Sequence, residues 1–288
     1  MKTPRALAVV AGLAGWGAAT PARTTAQIIP PQSARYDLIL PPQPARYELT
    51  TEAADARALW VNPAGLARLP EASIGADLSA DRFFPGGAQV SQYSLSLAGR
   101  GVAASWIHER LPSSQSLNVY AVGVGLGDEQ FSAGVTRRWY RGLADGGSWD
   151  IAARVSSLDG TQLSLVARSV GSPRLGDSTY WATLVPGALV YLFNGAVQLG
   201  AEWEVAPHAW RSVGYRAGGA VALGRGFAVS LLADLGSSFK RRALVVAFSF
   251  DAPRSRLGAF GLASGGANEI DAVGFSGALV TRAPTPRR

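Results

Sequence analysis

The sequence predicts an all-β fold: a transmembrane antiparallel β-barrel, fourteen strands by the leading count, with an N-terminal hatch segment. Three observations point there. The first is composition. Of 288 residues, 48% are hydrophobic and only 16% charged, against about 25% charged in an average soluble domain. Even so, no apolar run of about 18 residues, the length of a membrane helix, occurs beyond the extreme N-terminus. The second is a period-two alternation of apolar and polar residues in long segments from residue 72 onward. The third is the spacing between segments, which alternates tight and longer connections and so sets short turns on one rim and longer loops on the other. The absence of cysteine excludes disulfide frameworks, thiol nucleophiles and cysteine metal sites.

At the N-terminus, Lys2 and Arg5 precede an uncharged small-residue stretch over 6–19, and Thr24-Thr25-Ala26 supplies small residues before Gln27. This is the layout of a cleavable secretory signal over residues 1–26. Its removal takes Lys2, Arg5 and Arg23, so the net charge falls from +7 to +4. That balance gives no argument for a nucleic-acid partner. The expected destination is the bacterial outer membrane.

Fourteen segments alternate: 72–80, 88–98, 101–109, 115–126, 129–140, 148–157, 161–170, 180–193, 195–205, 211–224, 226–236, 240–250, 256–264 and 270–281. In the second, Tyr93, Leu95 and Leu97 oppose Gln92, Ser94 and Ser96. In the ninth, Leu199, Ala201 and Trp203 oppose Gln198, Gly200 and Glu202. Strands of soluble proteins average about 5–6 residues, whereas membrane-spanning strands need about 9–11, and these segments have the longer length. Asp159-Gly160 and Asn194-Gly195 suit two-residue hairpin turns. Trp106, Trp139, Trp149 and Trp203, near segment ends, fit an interfacial aromatic girdle. The competing reading is a soluble β-sandwich, whose exposed face would carry Lys and Glu; the polar face here is mostly Ser, Gly, Thr and Gln. The last two segments alternate least clearly, so twelve strands with a C-terminal appendage stays open. The barrel is assigned to residues 72–281 and a disordered tail to 282–288.

Residues 27–71 do not alternate and read as a periplasmic lead followed by a lumen hatch. Ser33-Ala34-Arg35-Tyr36-Asp37-Leu38 and Pro44-Ala45-Arg46-Tyr47-Glu48-Leu49 are related pieces around Pro41-Pro42. Thr51 is placed to cap a short helix over 52–59, which Asn62-Pro63 ends. A small-residue helix, then Asn62-Pro63-Ala64-Gly65-Leu66-Ala67, then the first long strand resembles the N-terminus of the FadL-like outer-membrane proteins. These are the long-chain fatty-acid transporters and their relatives, including PorV-type secretion proteins. The match covers about residues 52–67. The resemblance implies a hatch folded into the lumen of a fourteen-stranded barrel, positioned by Asn62, Pro63 and Gly65. This chain departs from the family in its shorter length, its small loops and the lack of a clearly aromatic final strand.

Little in the sequence carries covalent chemistry. Gly123-Val124-Gly125-Leu126-Gly127 lacks the spacing and following helix of a dinucleotide loop and reads as small-residue strand packing. His108 and His208 lie in different segments without a carboxylate at metal spacing, and Ser276 lacks the setting of a nucleophile elbow. No enzyme activity, metal or cofactor is therefore expected. By parity Arg138, Arg154, Arg168, Glu202, Glu204, Arg216 and Asp234 face the lumen. They make either a paired charge ladder that holds the hatch or a selectivity site for an anionic ligand head. The arginines are further candidates for binding the hatch carboxylates Glu52 and Asp55. Arg137-Arg138-Arg141 and Lys240-Arg241-Arg242 flank longer loops and are candidates for contact with outer-membrane lipid and lipopolysaccharide. The leading functional expectation, resting on the resemblance, is passive transport of small hydrophobic molecules. The alternative is a non-transporting scaffold or secretion-accessory barrel.

Overall fold

The computed structural model describes residues 48–51, 55–69, 72–81, 87–110, 116–142, 144–157, 160–175, 178–252, 254–264 and 270–280. The signal segment, the lead over 27–47, Glu52 and the C-terminal tail lie outside them. Strands run in chain order as β1 (Ser73–Asp81), β2 (Gln89–Gly99), β3 (Val102–Arg110), β4 (Ser116–Gly127), β5 (Phe131–Gly142), β6 (Ala144–Asp145), β7 (Gly147–Ser156), β8 (Thr161–Val170) and β9 (Arg174–Leu175). They continue as β10 (Ser178–Thr179), β11 (Thr183–Leu192), β12 (Val197–Ala206), β13 (Arg211–Gly224), β14 (Phe227–Gly236), β15 (Arg241–Ala252), β16 (Ser255–Ser264) and β17 (Ala272–Val280). Fourteen of them form one closed antiparallel barrel. The closing seam pairs β17 with β1 from Ser73↔Val280 to Asp81↔Ala272, so the last two segments are barrel strands and the twelve-strand alternative is excluded. No helix among the described residues is long and apolar enough to cross a membrane.

Parity places the side chains as the alternation implies. On β2, Gln92, Ser94 and Ser96 are buried while Tyr93, Leu95 and Leu97 are exposed. Trp139, Trp149 and Trp203 are exposed at the long-loop ends of their strands, whereas the short-turn rim exposes Leu126, Phe193, Leu223 and Phe227. Two-residue hairpins use left-handed backbone at Arg100-Gly101 and Arg225-Gly226. The expected two-residue turn at Asn194-Gly195 is instead a longer one from Phe193 to Ala196, left-handed at Phe193, Asn194 and Gly195. One feature of the long-loop rim carries no periodicity and is invisible to alternation. The connections after β5 and β8 pair as a small sheet in the order β10-β9-β6.

The interior of the barrel is filled from one side by the segment that precedes β1. Helix α1 (Ala58–Val61) and a 3-10 turn over Pro63–Arg68 follow one another there. The helix is shorter and later than the sequence suggests. Its N-cap position is Arg57, whose backbone N–H is taken by the Asp55 side chain at 2.8 Å. Leu59, Trp60 and Leu66 join Ile107, Leu117, Val119 and Tyr140 of β3–β5 in one buried apolar cluster. The hatch is thus the barrel's own core over this sector.

Candidate functional site: hatch seat and side cavity

The end of a helix leaves carbonyls without partners inside the helix, and here the wall supplies them in sequence. Thr136 of β5 donates its hydroxyl to Leu59 O at 3.0 Å, Arg138 donates Nη2 to Trp60 O at 2.9 Å, and Arg168 of β8 donates to Val61 O at 3.4 Å. The Arg138 guanidinium also lies over the Trp60 ring, 5.2 Å from its centre. Asn62 is fully buried and joins two pieces of the hatch. Its Oδ1 accepts from Ala64 N at 3.0 Å and its Nδ2 donates to Thr50 O at 2.7 Å. Pro63 opens the 3-10 turn, where its missing N–H costs nothing, and Gly65 is buried within that turn.

The turn seats directly on glycines of the wall. A Cβ on Gly125 of β4 would lie 2.5 Å from Ala67 N, and one on Gly134 of β5 would overlap the Pro63 carbonyl. Gly125 of β4 and Gly134 of β5 therefore form a docking groove for the turn's backbone at Pro63, Ala64 and Ala67.

The inward-facing charges pair largely with one another across strands rather than as separate basic and acidic walls. Arg138 forms a buried ion pair with Asp150 of β7. Asp150 Oδ1 also accepts from Ser169 N at 3.0 Å, where the β7–β8 register shifts and Ser169 takes φ 54°. Arg216 Nη2 pairs with Glu202 Oε2 at 2.6 Å, and Glu202 Oε1 accepts the Thr50 backbone N–H. Glu204 accepts from Thr183 Oγ1 at 2.9 Å, and Asp234 lies 3.9 Å from Arg242 Nη1. Arg154 departs from the expectation that charges in the lumen are paired. It is buried, and its Nη1 and Nη2 have no hydrogen-bond partner among the described residues. The expected pairing of lumen arginines with Asp55 is also corrected: Arg138 and Arg168 bind hatch carbonyls, Arg216 pairs with Glu202, and Asp55 is held by other cations, Arg57 and Arg256. The other expected carboxylate, Glu52, lies outside the described residues.

Those other cations belong to the space the hatch leaves open. A cavity of about 380 Å3 lies between Asp55, Arg57, Arg68 and Leu69 of the hatch and the wall of β16, β17, β1 and β2. Arg57 bridges Asp55 and Glu48, and Arg256 of β16 stands 3.8 Å from Asp55. Burial raises the Asp55 carboxyl, but the Arg57 charge and hydrogen bonds outweigh it and hold the group below the usual carboxylate range. Ser73, Asp77, Ser96, Ser276 and Ala278 also line it. Farther toward the long loops the same wall turns apolar on its inner face. Val245 pairs with Leu262 and Leu262 with Ala272, all buried. The Phe260 ring crosses Gly274, one inward position from Ser276. Neither Arg57 and Arg256 nor this apolar patch was singled out by the sequence, because β15 and β16 are apolar on both faces and their alternation fades.

Fold and site together define a hatch-filled, fourteen-stranded barrel of the outer-membrane type. No protein-family model matches the chain, and no curated protein matches it. Among solved structures it is similar to the Ralstonia pickettii toluene transporter TbuX, with 10% identity and a TM-score of 0.57 over 85% of this chain and 98% of that one. It also matches the Acinetobacter baumannii outer membrane protein Omp33, with 8% identity and a TM-score of 0.48 over 73% of this chain and 98% of that one. A mutant Rh. blastica porin matches with 9% identity and a TM-score of 0.44 over 74% of this chain and 100% of that one. The first of these likenesses bears on the fold; at such identity none bears on activity.

Proposed function

We propose that this protein resides in the bacterial outer membrane and passively transports small hydrophobic molecules, through the side of the lumen that the hatch leaves free. The observation that carries the reading is the inner face of β15–β17. Barrel interiors are ordinarily polar, yet here Ala243, Val245, Phe260, Leu262 and Ala272 form an inward apolar cluster. It lies farther toward the long loops on the wall whose β16 and β17 residues also line the cavity. The fold shared with a toluene transporter supports it. No covalent chemistry is involved in this reading. The scaffold alternative draws on the hatch core, which fills the sector from β3 to β5.

The test is uptake of an uncharged aromatic hydrocarbon by cells carrying the barrel in a lipopolysaccharide-covered outer membrane. Ala278 of β17 pairs with Gly75 and Arg256 and lines the cavity. Ala278→Trp is expected to fill that space and bring uptake down to the level of cells without the barrel. Uptake by the unaltered protein no greater than that background establishes the scaffold.

A further inference from the structure

The outer surface of β3–β5 and β7 carries charge where a lipid-facing surface ordinarily carries none. Cross-strand register orders the outward residues into rows. Ala104, Val122, Arg137 and Trp149 form one row, and Trp106, Tyr120 and Trp139 the next toward the long loops. Above these lie His108, Asn118 and Arg141, and then Arg110 with Ser116. Within a few residues the surface therefore passes from apolar through aromatic to cationic. Arg137 reaches from the lowest of these rows between two indoles, its guanidinium 5.7 Å from the Trp139 ring and 5.0 Å from the Trp149 ring. The third indole, Trp106, donates to Asn118 Oδ1 at 3.2 Å, and His108 shares that oxygen at 3.0 Å. These bonds fix the aromatic row. Among the described residues no acidic side chain lies on the outward face of these strands: Glu109 and Asp150 are both buried on the lumen side.

We infer that this face binds a phosphate-bearing glycolipid of the outer leaflet, with its acyl chains against the apolar rows and its phosphates on Arg110, Arg137 and Arg141. Charge complementarity selects the phosphate, because guanidinium groups bind it with paired, charge-assisted hydrogen bonds. The apolar band directly below selects a lipid-linked phosphate over a free one. The long-loop rim is the outer rim of such barrels, which places the site in the leaflet where the glycolipid lies. The proposal does not depend on transport.

The experiment measures binding of lipopolysaccharide, of dephosphorylated lipopolysaccharide and of inorganic phosphate to the folded barrel in detergent. The unaltered protein is expected to bind lipopolysaccharide at least about tenfold more tightly than the dephosphorylated form, since each hydrogen bond to a charged group is worth about a factor of ten or more. The Arg110→Gln/Arg137→Gln/Arg141→Gln variant is expected to lose that preference. All three residues lie outside the core, so its heat-modifiable mobility confirms folding. Equal affinity for the two lipopolysaccharides, an unchanged preference in the folded triple variant, or displacement of the lipid by an equal concentration of inorganic phosphate overturns the inference.

Discussion

Replacing Asp150 by alanine is expected to destabilise the folded barrel by about 3–5 kcal/mol, the cost of removing one partner from a buried ion pair. Asp150 and Arg138 are only 1% and 3% exposed, so no water replaces the lost carboxylate. The loss reaches two places. Arg138 is left as a buried charge beside neutral groups such as the Trp60 carbonyl, with no carboxylate to balance it. The Ser169 N–H loses its acceptor at the register shift, next to Arg168, which donates to the Val61 carbonyl. The temperature at which the compact band disappears on semi-native gels measures the effect. The Arg138→Met/Asp150→Leu pair is expected to cost less than the sum of its parts, because no unpaired charge remains. Additive losses would show that the two residues do not act as a unit.

Gly134→Val is expected to unseat the hatch. The atoms in its way are the backbone of Pro63 and Ala64, not the tip of a side chain that can swing aside. Overpacking of a fitted core costs about 1–3 kcal/mol and occasionally more. Here the strain is relieved only by moving the 3-10 turn off β4 and β5. A protease acting on the short-turn side should then cut within residues 48–69 in the variant and leave the parent intact. A protected hatch with an unshifted melting temperature would mean that the turn does not rest on these strands.

Much of the barrel was legible because membrane strands obey one rule for nine residues or more. Tyr93, Leu95 and Leu97 against Gln92, Ser94 and Ser96 is enough to orient β2 and its neighbours. The rule also placed Arg138, Arg154, Arg168, Glu202 and Arg216 on the inner face. Their partners were not legible. Arg138 meets Asp150 and the Trp60 carbonyl because the hatch crosses the lumen at that height, and parity contains no information about height. The hatch itself was readable only through the Asn62-Pro63 motif. The helix boundary was misplaced because no side-chain cap marks it: the N-cap position is Arg57, whose own N–H goes to Asp55, and Thr51 does not cap it. The apolar inner patch escaped because Val245 and Val246 on opposite faces look alike in sequence.

The central claim is that solutes pass beside a hatch that stays seated. Thr50 Oγ1 and Ser164 Oγ lie 2.7 Å apart, and the chain contains no cysteine of its own. A Thr50→Cys/Ser164→Cys variant can therefore be locked, hatch to wall, by oxidation alone. Hydrocarbon uptake by the oxidised barrel is expected to stay within about twofold of the reduced one, since the bond constrains a contact that is already made. Uptake that stops on oxidation and returns on reduction would mean that the hatch must leave its seat, and would contradict the side passage.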